Sequence, residues 1–108
     1  MKDNFTENDW KLFRNKIIIW QEKYMERLIN KYINLLNENI DSSEKFWKLE
    51  KQINQDKKHP GVNIEMKRSV LIPNLAMLIL NGVIEFSELN DFSGGLKESV
   101  ERFLKSYS

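Results

Sequence analysis

The sequence predicts an all-α fold: a four-helix up-down bundle with a long first helix and a proline-kinked third. Three observations lead there. Apolar residues recur at intervals of three and four along most of the chain, the period of a helix and not of a strand. No glycine or proline occurs before Pro60, so nothing punctuates the first half. Capping signals fall where the apolar periods start and stop. The 108 residues make one domain with room for one modest core.

The first helix is predicted over about residues 7–38. Thr6 with Asp9 forms a capping-box start. Trp10, Phe13, Ile17, Trp20, Tyr24, Leu28, Tyr32 and Leu35 make one stripe along it. Leu12, Ile18, Ile19, Ile29 and Ile33 fall off that stripe, which is more apolar surface than a helix with two neighbours usually hides.

The second helix is predicted over about 43–58. Asp41, Ser42 and Ser43 are candidate N-caps, and Asp41 with Glu44 approximates a second capping box. Phe46, Leu49, Glu50 and Ile53 define its inner side, with Glu50 at the margin. Glu44 precedes Lys48 in the favourable i,i+4 order. Lys57, Lys58 and His59 suit the negative end of the helix dipole, and Pro60-Gly61 ends the helix.

The third helix is predicted over about 65–81, with a kink where Pro73 removes a hydrogen bond and crowds the carbonyl of Ser69. Gly82 follows as its left-handed cap. The fourth starts at Ser87 and carries Leu89, Phe92, Leu96, Val100, Phe103 and Tyr107 on one stripe. Gly94-Gly95 predicts a break in it, with Ser93 capping the renewed helix. Lys97/Glu101, Glu98/Arg102 and Glu101/Lys105 support the last segment.

Composition narrows the function. Hydrophobic residues at 41% and charged residues at 31% describe a globular chain. A net charge of +1 gives no global field toward nucleic acid or anionic lipid. Without cysteine there is no disulfide framework and no thiolate metal site, which fits a reducing compartment. The first ten residues have no apolar core, so no signal peptide is expected and a cytoplasmic location follows. Asn, Ile and Lys fill 36 of 108 positions and Ala occurs once, at Ala76. Such usage reflects AT-rich coding, and it makes helix formation lean on packing.

The least polar stretch, "VLIPNLAMLILNGVIEFSE", admits three readings: membrane span, calcium loop or core. A span needs ~20 apolar residues, and Asn74, Asn81 and Pro73 interrupt this run. Gly82, Ile84 and Glu88 match the second half of an EF-hand loop, but the earlier ligand positions fall on Met77 and Ile79, which offer no oxygen. Core and a glycine turn explain the residues better. His59 is the only histidine, and with Asp56 three residues before it makes no zinc site. Glu22/Glu26 and Glu85/Glu88 share faces as carboxylates on solvated helices often do. No phosphate-binding glycine loop and no nucleophile elbow is present. No catalytic residue, cofactor or metal is therefore expected.

Two surface features remain. Lys48, Lys51, Lys57, Lys58, Lys67 and Arg68 form a candidate basic patch, while residues 82–101 hold five acids against Lys97. The basic segment could meet an acidic partner or nucleic acid. The helix after Gly82 stands where a helix-turn-helix has its recognition helix, and its acidity argues against DNA. The apolar excess of the long first helix centres on Ile17, Ile18, Ile19 and Trp20, a candidate self-association site for a homodimer. A break of that helix at the three β-branched residues is the competing outcome. Three tryptophans and five other aromatics lie within residues 5–47, a pattern of core more than of a ligand cage.

With "WQEKYMERL", "EKFWKLEK", "KKHPGV" and "MKRS", the chain resembles a group of short uncharacterised all-helical bacterial proteins. The resemblance implies an all-helical domain and no activity. In size it is also similar to bacteriocin immunity proteins, which are small four-helix bundles, though without their specific motifs. The function expected is a non-enzymatic helical interaction module. The alternatives are a nucleic-acid-associated accessory using residues 45–68, an immunity-type bundle, or a small enzyme or ligand carrier built on the aromatic stripe.

Overall fold

The computed structural model describes residues 4–107. Its elements are α1 (Glu7–Leu36), α2 (Ser42–Asp56), α3 (Leu71–Leu80) and α4 (Gly94–Lys105), with 3₁₀ turns at Arg68–Val70 and Phe86–Leu89. No strand occurs among the described residues. No helix among them is long and apolar enough to cross a membrane.

The first helix does not break at its isoleucines. At ~1.5 Å per residue its 30 residues extend roughly 45 Å, most of the 53 Å length of the molecule. Only its N-terminal half enters the core. Trp10, Phe13, Ile17 and Trp20 pack there with Leu71, Ile72, Leu75, Ala76 and Leu78 of α3, Leu96 and Val100 of α4, and Ile84, Leu89 and Phe92 between them. The C-terminal half runs on beside α2, which buries none of its residues. The molecule is thus a packed head with a two-helix arm.

Capping joins the head together. Asp9 N–H donates to Thr6 Oγ1 at 3.0 Å, and Thr6 N–H donates to Asp9 Oδ2 at 2.9 Å, completing the predicted capping box. The same carboxylate accepts from Ser93 N–H at 2.9 Å and Ser93 Oγ at 2.5 Å. Ser93 Oγ in turn accepts from Leu96 N–H and caps α4. Asp9 is only 1% exposed. Burial pushes its pKa up, but the hydrogen bonds from Ser93 and Thr6 outweigh it, and the net shift is below the ordinary 3.8.

Several boundaries differ from the sequence reading. α3 begins at Leu71, not near 65, so Pro73 sits in its first turn and not in its interior. The reason is the proline itself. A helix extended backward would need a Pro73 N–H for the Ser69 carbonyl, whereas in a first turn that donor has no partner to lose. The side-chain amide of Asn74 bonds the carbonyl of Glu65 at 2.8 Å and holds the preceding strand-like segment against the helix start. Asp41 is the N-cap of α2 but makes no side-chain cap bond, and Glu44 pairs with Lys48 at 3.2 Å instead of closing a box. Gly82 takes the left-handed conformation, with φ of 74°. The fourth helix does not start at Ser87: a 3₁₀ turn without a side-chain cap spans Phe86–Leu89, and α4 begins at Gly94 under the cap of Ser93, with both glycines in its first turn.

Asp9→Ala takes the acceptor from the Thr6 and Ser93 donors and empties a buried position. It is expected to lower the unfolding free energy by about 3 kcal/mol, read as a shift of the urea midpoint with an unchanged slope. A change within ~0.5 kcal/mol would show that the double cap contributes little.

Candidate functional site

The arm carries the features that the core does not absorb. Between its helices runs an apolar groove of about 210 Å³, lined by Met25, Leu28, Ile29 and Tyr32 of α1, Ile53 and Asp56 of α2, and Lys57 and Val62 beyond it. Leu28 alone among these is fully buried. One polar pair closes the groove: Tyr32 Oη donates to Asp56 Oδ2 at 2.5 Å, and Gln52 Nε2 donates to Asp56 Oδ1 at 3.1 Å. Burial, and then the hydrogen bond to Asp56, push the Tyr32 phenol up to about 12. Tyrosine and carboxylate thus hold each other as a cross-brace between α1 and α2.

The arm also carries exposed apolar side chains. On α1 these are Ile29, Ile33 and Leu36; at the start of α2, Phe46 is 63% and Trp47 61% exposed, their rings edge to face at 5.0 Å between centroids. Phe46 was expected on the inner side of α2 with Leu49 and Ile53. The latter two are half-buried and Phe46 is not. The reason is the short inner face of this helix: α1 ends at Leu36, so the first turns of α2 have little to pack on.

Where arm meets head, Tyr24 is the joint. Its ring stacks on His59 at 4.5 Å with 4° between planes, and the Arg27 guanidinium lies 4.8 Å from its centroid. Arg27 Nη2 also donates to the Gly82 carbonyl at 2.9 Å, tying α1 to the turn that ends α3. Gln21 Nε2 donates to the Pro60 carbonyl at 3.0 Å. Gly61 N–H donates to His59 Nδ1 at 3.0 Å, which places the proton of the neutral ring on Nε2. Burial, with Arg27 and Lys31 nearby, lowers the His59 pKa below 6.5 although Asp56 pulls it upward. His59 was expected as a solvated residue at a helix end; it is half-buried and bonded.

The predicted site residues are dispersed. Ile17 and Trp20 belong to the core and are unavailable for self-association, while Ile18 and Ile19 stay 68% and 56% exposed. In the basic patch, Lys48 pairs with Glu44, Lys67 with Glu65 at 2.9 Å, and Arg68 makes a two-point contact with Glu7 and lies over Trp10. Lys51, Lys57 and Lys58 remain exposed without an ion pair among the described residues. Among the described residues, no three His, Cys, Asp or Glu side chains converge as a metal site. The sequence reading missed Met25 and Leu36. Their signal was a second stripe, Met25, Ile29, Ile33 and Leu36, at spacings of four, four and three.

Compared with family models, with curated proteins and with solved structures, the chain gives no match.

Two predictions concern the joint. A Cβ added at Gly61 would meet the Tyr24 ring at 2.2 Å. Gly61→Ala is expected to cost about 1–3 kcal/mol, and the cost should shrink in a Tyr24→Ala background, as a double-mutant cycle would show. His59 titrates lower in the folded protein than its ordinary 6.5. The unfolded chain therefore takes up the proton first as pH falls, so stability is complete above that value and declines below it. Melting between pH 7.5 and about 5.5 should show this decline for the wild type and not for His59→Gln. Parallel curves would assign the slope to other groups.

Proposed function

We propose that this chain is a non-enzymatic interaction module, four helices in up-down order that present an apolar arm to another protein. The observation that carries the reading is the arm: α2 buries no residue, Ile29 lines the groove between the helices and is exposed, and Ile33, Leu36 and Phe46 lie exposed on the same side of the arm. Contiguous apolar surface of this kind marks interaction sites more often than chance exposure does. The chemistry of the groove supports a binding role over a catalytic one, because Tyr32, Gln52 and Asp56 bond one another. A nucleic-acid role for residues 45–68 draws less support, since Lys48, Lys67 and Arg68 already face carboxylates.

The test compares the immobilised wild type with Ile33→Ser/Phe46→Ser. The variant should keep its helical spectrum and its melting temperature, because both side chains are exposed. Proteins retained from the native cell by the wild type should be lost by the variant. No retention on DNA cellulose is expected at ~0.15 M salt. Salt-dependent retention abolished by Lys51→Glu/Lys58→Glu would instead favour the nucleic-acid reading, and identical protein capture by both chains would remove the arm as the surface.

A further inference from the structure

We propose that the apolar face of the arm pairs with the same face of a second copy, α1 of one copy lying along α2 of the other about a two-fold axis parallel to the arm. This rests on the reading of the arm as an interaction surface and names its occupant.

The face is continuous across both helices. Ile18, Met25, Ile29, Ile33 and Leu36 follow at spacings of seven, four, four and three, which keeps them on one side of α1. Phe46 and Ile53, seven apart, share one side of α2. The groove sets the two sides next to each other, because Met25 and Ile29 line it from α1 and Ile53 and Lys57 from α2. Glu50 lies on the same side of α2 and has the length to reach solvent at the edge.

Charge then selects the partner and the axis. Beside the apolar stripe α1 carries Glu22 and Glu26, and the end of α2 carries Lys57 and Lys58. All four are exposed and without an ion pair among the described residues. The bonds Tyr32–Asp56 and Glu38–Lys48 fix which residues of the two helices stand level. By that register Ile33 is level with Ile53, and Glu26 is within about one turn of Lys57 and Lys58. A two-fold axis parallel to the arm preserves these heights while bringing α1 onto the other copy's α2. Isoleucine then meets isoleucine at the centre, and Glu26 on the acidic edge of each copy comes within about one turn of the basic edge of the other, with Glu22 one turn further along, twice by symmetry. The perpendicular axis would set α1 on α1 and leave the glutamates facing no lysine of this group.

Size sets the expected strength. From Ile18 to Leu36 the face runs ~27 Å, and two helices side by side span ~20 Å. That footprint falls short of the ~800 Å² per partner of standard interfaces, so the dimer belongs to the weak class, with Kd of roughly 10–100 µM.

Sedimentation equilibrium of the full chain from ~1 to ~300 µM, at low salt, tests the pairing. The wild type should dimerise. Glu22→Lys/Glu26→Lys and Lys57→Glu/Lys58→Glu should each raise Kd about tenfold or more, since each sets like charges across the interface twice. Mixed in equal amounts, the two variants should associate as tightly as the wild type, because both edges are again complementary. A monomer throughout the range overturns the proposal, and so does a dimer indifferent to both reversals. Neither result touches the broader reading of the arm, which stands or falls on capture of other proteins by the Ile33 and Phe46 comparison.

Discussion

The carboxylate of Asp9 closes two helices at once, and the head is organised around it. It completes the capping box of α1 and holds the Ser93 that caps α4. Two helix N-termini, each a centre of partial positive charge, thus share one negative group at a buried point. Asp9 has no cationic partner among the described residues, and its oxygens instead accept from Thr6 N–H, Ser93 N–H and Ser93 Oγ. With the two starts fixed together, Trp10, Phe13, Ile17 and Trp20 are carried at three- and four-residue steps onto α3 and α4. The core follows from that registry.

A helix fixed at one end and longer than its neighbours must leave them. α3 and α4 have 10 and 12 residues against the 30 of α1, so the head covers only part of it. Beyond Trp20 the same stripe continues as Tyr24, Leu28, Tyr32 and Leu35, but with a different partner. Tyr24 is the change-over. It receives Gly61, stacks on His59 and sits beside Arg27, so the turn after α2 and the turn after α3 are both tied to α1 at this level. The glycine is required by proximity and not by backbone angle, since a side chain there would enter the tyrosine ring.

The main stripe of α1 was fully legible, because periodicity reports which side of a helix is buried and not what buries it. Trp10, Phe13, Ile17, Trp20 and Leu28 are buried as read. Ends were legible where a capping side chain closes them, as Thr6 and Ser93 do, or where a left-handed glycine does, as at Gly82. The start of α3 was not, because the apolar pattern before Pro73 suits an extended segment packed on the core as well as a helix, and Asn74 decides by a contact to Glu65 that spacing does not announce. Phe46 was misplaced for a related reason: its spacing to Leu49 and Ile53 is that of an inner face, but α1 ends too soon to supply a wall. The basic patch failed differently. Counting charges along residues 44–68 omitted Glu7, distant in sequence, which engages Arg68. The candidate surface was half legible: Ile29 and Ile33 stood out as surplus, whereas the exposure of Phe46 and Trp47 depends on tertiary geometry.

The same division gives the arm its thermodynamic character. Neither of its helices contains alanine, and asparagine recurs in α1, so intrinsic propensity contributes little. In proteins most helical stability comes from a packed face. The arm has one fully buried side chain, Leu28, one cross-brace at Tyr32–Asp56 and the joint at Tyr24. Few buried apolar contacts place a segment at the low end of local stability, where opening occurs without unfolding the rest. A partner that covers Ile29, Ile33 and Phe46 therefore does two things with one set of contacts: it removes apolar surface from water and it holds the arm's helices in place. Part of the interaction energy is used in that ordering, so affinity falls below what the area alone implies. The head, anchored by Asp9 and its own core, supplies the fixed end from which such an arm can be presented.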